Sequence, residues 1–381
     1  MKVAIIHDWL VTYAGAEKVL EQLLVIYPDA EIYTMVDFIA EDDRAFLRGC
    51  KVNTSFIQSL PFAKSRYRFY LPLMTIAVEQ FDLSSYDLVI SSSHAVAKGV
   101  LTGPDQLHVC YIHTPMRYAW DLQAQYLEES NLTHGIKSIL ARWTLHKIRL
   151  WDVRTANGVD KFISNSTFIS SRVKKIYRRQ STVIHPPVDT EAFSLQYQKD
   201  DFYVAVSRMV PYKKIHTIVD AFSLMPDRSL VVVGDGPEMK KILNKASANT
   251  TIVGFKDRQF LIDIMGSAKA FIFAAEEDFG ITPIEAMACG TPVIAYGKGG
   301  ILDTVISIDS SSSTPTGLFF TEQTSESICD AVNRFEDLDT KISPDDCRTQ
   351  AETFKEHIFR QKIQDFINIE LQKRSNSKLD H

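Results

Sequence analysis

Two glutamates at a short interval mark the segment of this chain that is best suited to chemistry. Glu277 and Glu285 lie within AAEEDFGITPIEAMACGTPVIA, residues 274–295. The apolar run 270–275 predicts a buried strand. Residues 282–288 predict the first turns of a helix, with Thr282 as the N-cap and Pro283 near the first helical position. Glu277 is therefore expected at the carboxyl end of a strand, and Glu285 near the start of the following helix.

The turn between these two elements is suited to binding an anion. Gly280 lets backbone amides approach a ligand closely, and a helix N-terminus after a parallel strand attracts negative charge. Carboxylates accept hydrogen bonds from sugar hydroxyls, while amides hold phosphate. The segment thus predicts a site for a polyhydroxylated, phosphorylated ligand. The structural alternative is an ordinary strand-turn-helix unit with two solvated glutamates.

A second polar segment, SRMVPYKK, begins at Ser207, where another predicted strand ends. Arg208 offers a planar fork of donors and Lys213 a point charge, a combination suited to phosphate oxygens. We therefore expect both side chains to reach a diphosphate from the end of this strand.

Strand-like and helix-like patterns alternate along the chain. The predicted strands are 3–7, 31–36, 88–91, 108–113, 161–165, 183–185, 202–207, 229–233, 251–253, 270–275, 293–296 and 317–320. The predicted helices include 16–27, 215–224, 238–248, 258–267, 283–289 and 352–373. This α/β alternation predicts two doubly wound domains with parallel sheets. The proline-containing stretch 185–200 predicts the boundary, giving domains 1–190 and 191–355, and a terminal helix with its tail at 356–381.

The segment 277–293 resembles the donor-site motif of the nucleotide-sugar-dependent glycosyltransferases of family 4. Their pattern is Glu, seven residues, Glu, with Phe-Gly inside it and Glu-Ala-Met-Ala-Cys-Gly-Thr-Pro-Val at its end. The resemblance covers most of the chain and is strongest over residues 202–300. It implies the GT-B fold, in which two Rossmann-like domains face across a cleft and the C-terminal helix crosses back to the first domain. It also implies sugar transfer with retention of configuration, without a metal or another cofactor.

The resemblance also assigns roles to individual positions. Catalytic roles fall to His113, Glu277, Arg208 and Lys213. The donor-binding positions are Gly15, Arg208, Lys213, Gly254, Phe255, Glu277, Phe279, Gly280, Ile281 and Glu285. From their places after predicted strands of the first domain, Asp8, Arg117 and Tyr118 are expected to bind the acceptor, and an N-cap or loop acid is an equal alternative for Asp8. No metal ligands are expected, and we interpret the acid pair of Asp337-Leu338-Asp339 as surface.

The combination of HDWL, YIHTPMRYAWD, SRMVPYKK and EDFGITPIEA is most similar to bacterial mannosyltransferases that build surface polysaccharides. That likeness implies GDP-mannose as the donor and a glycan or lipid-linked glycan as the acceptor. A UDP-sugar donor is the first alternative. Two other classes remain open. A NAD-dependent enzyme would need an early GxGxxG, which residues 3–15 lack, and a non-catalytic sugar-binding or membrane-surface module would not need both the basic pair and the glutamates.

Composition restricts the partners further. The chain has 381 residues and a net charge of −5, so neither bulk polyanion binding nor a nucleic acid partner is expected. Five scattered cysteines without a CxxC pair, and an N-terminus without a signal-peptide pattern, indicate a cytoplasmic protein. Two stretches, 61–74 and 136–154, mix basic and aromatic residues. They are either helices packed on the sheet or surfaces for peripheral contact with an anionic inner membrane.

Overall fold

A computed structural model describes residues 1–337 and 342–379 of the chain. Leu338 and Asp339 of the acid pair, and the last two residues of the predicted tail, lie outside the described residues. Contacts between Cα atoms divide the chain into two compact units. The first unit comprises residues 1–187 together with 359–381, and the second comprises residues 188–358.

The first unit is built on a parallel seven-stranded sheet. Its strands are β1 (Val3–His7), β2 (Glu31–Thr34), β3 (Val52–Thr54), β4 (Leu88–Ser93), β5 (Leu107–Ile112), β6 (Lys161–Ser164) and β7 (Ser181–Val183). Their order in the sheet is β3-β2-β1-β4-β5-β6-β7. Helices α1 (Gly15–Ile26), α2 (Ala63–Arg66), α3 (Leu71–Val78), α4 (Gln123–Glu129), α5 (Gly135–Ala156) and α6 (Thr167–Tyr177) connect the strands, with short 3₁₀ turns between them. The chain winds outward in both directions from the β1–β4 pair, where ligands of such sheets bind.

The second unit repeats this arrangement with six parallel strands. They are β8 (Phe202–Val206), β9 (Ser229–Val233), β10 (Thr250–Gly254), β11 (Ala270–Phe273), β12 (Val293–Tyr296) and β13 (Gly317–Phe320), in the order β10-β9-β8-β11-β12-β13. Its helices are α7 (Ile215–Ser223), α8 (Met239–Leu243), α9 (Arg258–Ser267), α10 (Ile281–Ala288), α11 (Ser325–Glu336) and α12 (Pro344–Glu352). The prediction of two doubly wound units is confirmed.

The last helix, α13 (Glu356–Leu379), joins the first unit. Its side chains Phe359, Ile363 and Ile367 are buried in the same core as the strands β1 and β4. The sequence predicted one helix over 352–373. The structure instead ends α12 at Glu352 and begins α13 at Glu356, because the intervening residues turn before the apolar face of α13 starts.

Candidate active site

The predicted donor residues of the second unit gather at the reversal point of its sheet. Arg208 lies two residues beyond β8, and Glu277 lies four residues beyond the neighbouring strand β11. Lys213 forms an ion pair with the Glu277 carboxylate, and each side chain is 17% exposed. Arg208 is exposed and has no ion-pair partner within the described ranges. The structure therefore brings two cations and a carboxylate to the edge where α/β sheets bind ligands.

A glycine pair fixes the loop that carries Arg208. Ser207 N–H donates to the Val233 carbonyl at 3.0 Å, and Met209 N–H donates to the Asp235 carbonyl at 2.8 Å. A Cβ on Gly234, whose φ is +133°, would overlap the carbonyl oxygen of Ser207. The Gly-Asp-Gly sequence at residues 234–236 therefore supports, through backbone contacts, the loop that carries Arg208.

A second glycine pair supports the loop that carries Glu277. Gly300 N–H donates to the Glu277 carbonyl at 2.8 Å. Side chains at Gly299 and Gly300 would overlap the carbonyl oxygens of Glu277 and Asp278. Gly299 and Gly300 therefore allow their backbone to pack closely against the loop that carries Glu277.

The start of α10 differs from the sequence prediction. Gly280, with φ +90°, is the N-cap, and Ile281 is the first helical residue, so Thr282 lies inside the helix. A left-handed N-cap explains why glycine occupies this position. The side chain of Phe279 is 4% exposed and meets Phe354 edge-on at 5.7 Å, so any contact from Phe279 to a donor would come from its backbone.

The remaining donor candidates of this unit lie on α10 and at the end of β10. Glu285 is half-buried in the second turn of α10. Gly254 ends β10 with φ +71°, and the Phe255 ring beside it is 83% exposed. An exposed aromatic face at a strand end is a suitable surface for a nucleobase.

Replacing Gly234 with alanine tests the support of the Arg208 loop. We expect weaker nucleotide binding, by roughly tenfold or more, because the added methyl group displaces the loop that carries Arg208. Nucleotide titration of the folded variant measures this effect. Gly49→Ala is the matched control. Gly49 has φ +76° with open space around its Cβ position, so it incurs only a strain of about 1–2 kcal/mol. Equal binding by both variants would contradict the proposed support.

In the first unit, His113 belongs to a buried hydrogen-bonded chain. His113 follows β5, and its Nε2 lies 2.8 Å from Ser92 Oγ. The same hydroxyl lies 3.2 Å from His7 Nδ1, and His7 Nε2 lies 3.3 Å from Glu17 Oε1. Sequence reasoning missed His7, Ser92 and Glu17, since nothing local indicates that these distant residues meet. The chain fixes the orientation of the His113 ring.

The ionisation states of this chain follow from its burial. Burial, reinforced by His94 and His7, holds the pKa of His113 well below its usual value, so the imidazole is neutral at physiological pH. Burial opposes ionisation of Glu17, but its hydrogen bond and charge interaction with His7 outweigh that effect and lower the Glu17 pKa. A neutral imidazole can exchange hydrogen bonds with a sugar hydroxyl without adding charge.

The position of Asp8 disagrees with its expected role in binding the acceptor. It is fully buried, and its two carboxylate oxygens accept hydrogen bonds from the backbone N–H groups of His94, Ala95, Val96 and Ala97 at 2.6–2.9 Å. His94 Nδ1 also lies 3.0 Å from Oδ2 of the same carboxylate. This geometry assigns Asp8 to holding the loop after β4, because it leaves no exposed carboxylate surface for an acceptor.

The other candidates of the first unit lie on surrounding loops. Gly15 is the first residue of α1, close to the end of β1. Arg117 and Tyr118 are half-buried in the loop after β5, and Tyr118 packs against Tyr126 at 5.8 Å. Burial raises the pKa of Tyr118, so its hydroxyl stays protonated.

A buried histidine behind the site predicts how stability depends on pH. His108 on β5 is fully buried, with Nε2 2.9 Å from Ser91 Oγ, and burial lowers its pKa to about 4. In the unfolded chain His108 binds a proton near pH 6.5, whereas in the folded chain it does so only near pH 4. Stability should therefore fall by about 3 kcal/mol between roughly pH 6.5 and pH 4.

Unfolding followed by tryptophan fluorescence measures this effect, because all four tryptophans lie in the first unit. His108→Gln should flatten the profile, whereas exposed His146→Gln should not; parallel profiles for the two variants would refute this assignment.

Among the described residues, no helix is both long and apolar enough to cross a membrane. In the same ranges, no three His, Cys, Asp or Glu side chains converge as they would around a metal ion.

Comparison with known families agrees with the fold and with the donor motif. The family described as Glycosyl transferases group 1 matches residues 188–354, and Glycosyltransferase Family 4 matches residues 29–192. These two matches together span most of both units. The chain belongs to the family 4 glycosyltransferases with the GT-B fold.

Curated relatives include several mannosyltransferases. The α-1,3/1,6-mannosyltransferase alg2 of Schizosaccharomyces pombe is 25% identical over 294 residues, covering 64% of this chain and 54% of the relative. A GDP-mannose-dependent phosphatidylinositol monomannoside mannosyltransferase of Corynebacterium glutamicum is 32% identical over 114 residues, covering 26% of this chain and 30% of the relative. The chain spans about half the length, or less, of the curated relatives it matches.

Solved structures share the fold at low identity. Sucrose-phosphate synthase from Thermosynechococcus elongatus has a TM-score of 0.71 at 16% identity, covering 98% of this chain and 100% of that structure. Anabaena HepE, solved in complex with UDP and glucose, has a TM-score of 0.68 at 18% identity, covering 97% and 99%.

Proposed function

We propose that this protein transfers a sugar from a nucleoside diphosphate sugar to a glycan or lipid-linked glycan, with retention of anomeric configuration and without a metal ion. One observation carries the proposal. Arg208 and Lys213 follow β8, and Glu277, the ion-pair partner of Lys213, follows the neighbouring strand β11, at the reversal point of the second sheet and beside the glycine-capped start of α10. This is the position at which doubly wound sheets bind nucleotides.

The basic pair serves the departure of the nucleoside diphosphate. Negative charge grows on the diphosphate as the bond to the sugar breaks, and fixed cations at that point lower the barrier. Arg208 and Lys213 are the cations, aided by the amides at the start of α10. Diphosphate binding would draw Lys213 away from Glu277, which frees that carboxylate to accept from sugar hydroxyls. Glu285 would accept from the ribose.

His113 is proposed to contact a sugar hydroxyl as a neutral imidazole. Its Nε2 is engaged by Ser92, so Nδ1 is the nitrogen left for a ligand. We assign the Glu277 carboxylate beside Lys213 to the sugar hydroxyls and not to covalent attack on the transferred sugar. A same-face reaction suits this set, with the departing phosphate accepting the proton of the acceptor hydroxyl.

We propose mannose from GDP-mannose as the donor substrate. Support comes from the mannosyltransferases among the curated relatives, one of which carries GDP-mannose in its name. A UDP-sugar is the second candidate, favoured by the UDP-bound HepE structure with the same fold. We further propose a cytoplasmic enzyme, since all five cysteines are free thiols.

Thermal-shift measurements with GDP, UDP, ADP and NAD test the donor site directly. A ligand at about a hundredfold excess over its dissociation constant adds about 2.7 kcal/mol to folded-state stability. We expect GDP and GDP-mannose to raise the unfolding temperature. A shift with UDP instead would replace the donor but keep the site, whereas a shift with NAD alone, or with no nucleotide, would contradict the proposal. Transfer in the presence of EDTA, with the anomer of the product read by NMR, then tests metal independence and retention.

A further inference from the structure

Helix α5 carries a second apolar face that no part of the described protein covers. Leu145 and Ile148 on one side of the helix are buried in the core of the first unit. On the other side lies an exposed stripe with helical spacing. It comprises Ile136, Ile139, Leu140, Trp143 and Leu150, which are 55–86% exposed. A helix with apolar residues on both sides has one face left to bind a partner.

A second exposed apolar stretch adjoins this stripe. It runs through α2 and α3 and presents Phe62, Phe69, Leu73 and Ile76, which are 41–81% exposed. Helix α3 packs against α5, and Trp151 Nε1 donates to Glu79 Oε1 at 2.8 Å just beyond α3. Residues 61–78 and 135–156 therefore form one continuous feature, here named the α3–α5 surface.

The charges on the α3–α5 surface are almost all positive. Its two segments contain eight lysines and arginines and a single acid, Asp152. That acid is fully buried and paired with Lys98 at 2.7 Å, so it does not offset the exposed cations. Lys147 lies 5.7 Å from the Trp143 ring, and Arg66 lies 5.8 Å from the Phe62 ring. Cations thus alternate with exposed rings.

We propose that the α3–α5 surface binds the face of a membrane containing anionic lipids. Apolar side chains entering the boundary region, with basic residues at headgroup level, fit such a membrane. A second copy of this chain fits less well, because a symmetric contact would bring two strongly basic surfaces together. A protein interface core is also usually depleted in lysine.

The location of this surface extends the proposed function, on which this step rests. Tyr67 joins α2 to α3, and its ring contacts Trp9 at 5.4 Å. Trp9 in turn contacts His94 edge-on at 4.5 Å, at the carboxyl edge of the first sheet. The membrane would therefore lie beside the carboxyl edge of the first sheet, where Arg117 and Tyr118 are expected to bind the acceptor, and the acceptor would be a glycan carried on a lipid in that membrane.

Vesicle binding of the full chain tests the surface. Vesicles of phosphatidylcholine alone are compared with vesicles that also contain phosphatidylglycerol. We expect binding only to the anionic vesicles, weakening as salt is added. The emission of Trp143, the most exposed of the four tryptophans, should shift to shorter wavelength on binding, and Trp143→Phe should remove that shift. No binding to anionic vesicles at low salt would overturn the proposal.

Matched variants distinguish vesicle binding through the α3–α5 surface from nonspecific adsorption. Lys137→Glu with Lys147→Glu should weaken partitioning roughly tenfold or more, and Ile139→Ser with Leu140→Ser should do the same. Lys174→Glu with Lys175→Glu on α6, and Leu243→Ser in the second unit, are exposed controls that should bind like the parent. Losses of equal size in the controls would also overturn the proposal, as would concentration-dependent dimerisation that only the surface variants abolish.

Failure of this inference can be told apart from failure of the proposed function. Nucleotide binding is read on the same preparations by thermal shift. A chain that binds GDP or UDP but no vesicle refutes the membrane surface and leaves the transferase. A chain that binds anionic vesicles but no nucleotide keeps the surface and refutes the transferase.

Discussion

Lys213→Met is expected to lower the turnover number for sugar transfer by about 10²–10³-fold. The lysine cation would stabilise charge that develops on the leaving diphosphate, so its loss affects the transition state more than the bound substrate. The unfolding temperature without nucleotide should change little, because the lysine is partly exposed and its ion pair with Glu277 is at the site itself. Steady-state kinetics with the donor identified by thermal shift measure the effect.

Lys214→Met is the matched control for this variant. It removes the same charge one residue further along, at a position whose left-handed backbone, φ +56°, is unaffected by the exchange. Its turnover should stay within a few-fold of the parent. If both variants lose the same activity, net charge near the site matters and the specific role of Lys213 is wrong.

Lys98→Met is expected to destabilise the first unit by about 3–5 kcal/mol. Lys98 is 1% exposed, and its Nζ donates to the Asp152 carbonyl at 2.9 Å and to Thr155 Oγ1 at 3.0 Å. Its ion pair with Asp152 spans 2.7 Å. Removing the cation leaves the Asp152 charge buried, with Trp120 Nε1 and Tyr177 OH as its remaining side-chain donors among the described residues. Urea unfolding followed by tryptophan fluorescence reports on this unit alone.

Two comparisons make the stability prediction specific. Lys51→Met breaks an exposed ion pair of similar length, 2.8 Å to Glu31, and should have little effect. The double variant Lys98→Met with Asp152→Leu should recover part of the lost stability, because it removes both buried charges. If Lys98→Met and Lys51→Met unfold at the same urea concentration, the buried Lys98–Asp152 pair makes no net contribution to stability.

The strands were predictable because their signal is local. Strands of a parallel sheet covered on both faces consist of continuous apolar residues, and the runs at β1, β9, β12 and β13 matched their observed bounds. β3 was missed, since Val52–Thr54 is short, lies at the sheet edge and is only partly buried. The N-cap of α10 was misplaced because threonine is the commoner cap. The left-handed conformation of Gly280 depends on how its loop packs.

The sequence by itself determined the class of protein and predicted the residues that are proposed to hold a nucleoside diphosphate sugar. Residue types and short spacings carry that information, as in Arg208 and Lys213, or Glu277 and Glu285. Only the tertiary structure decided which polar groups are available. It buried Asp8 beneath four backbone amides, linked His113 to Glu17 through His7 and Ser92, and left one face of α5 uncovered. Each of these outcomes depends on contacts between residues far apart in the chain, because burial and pairing are properties of the packed fold and not of the local pattern.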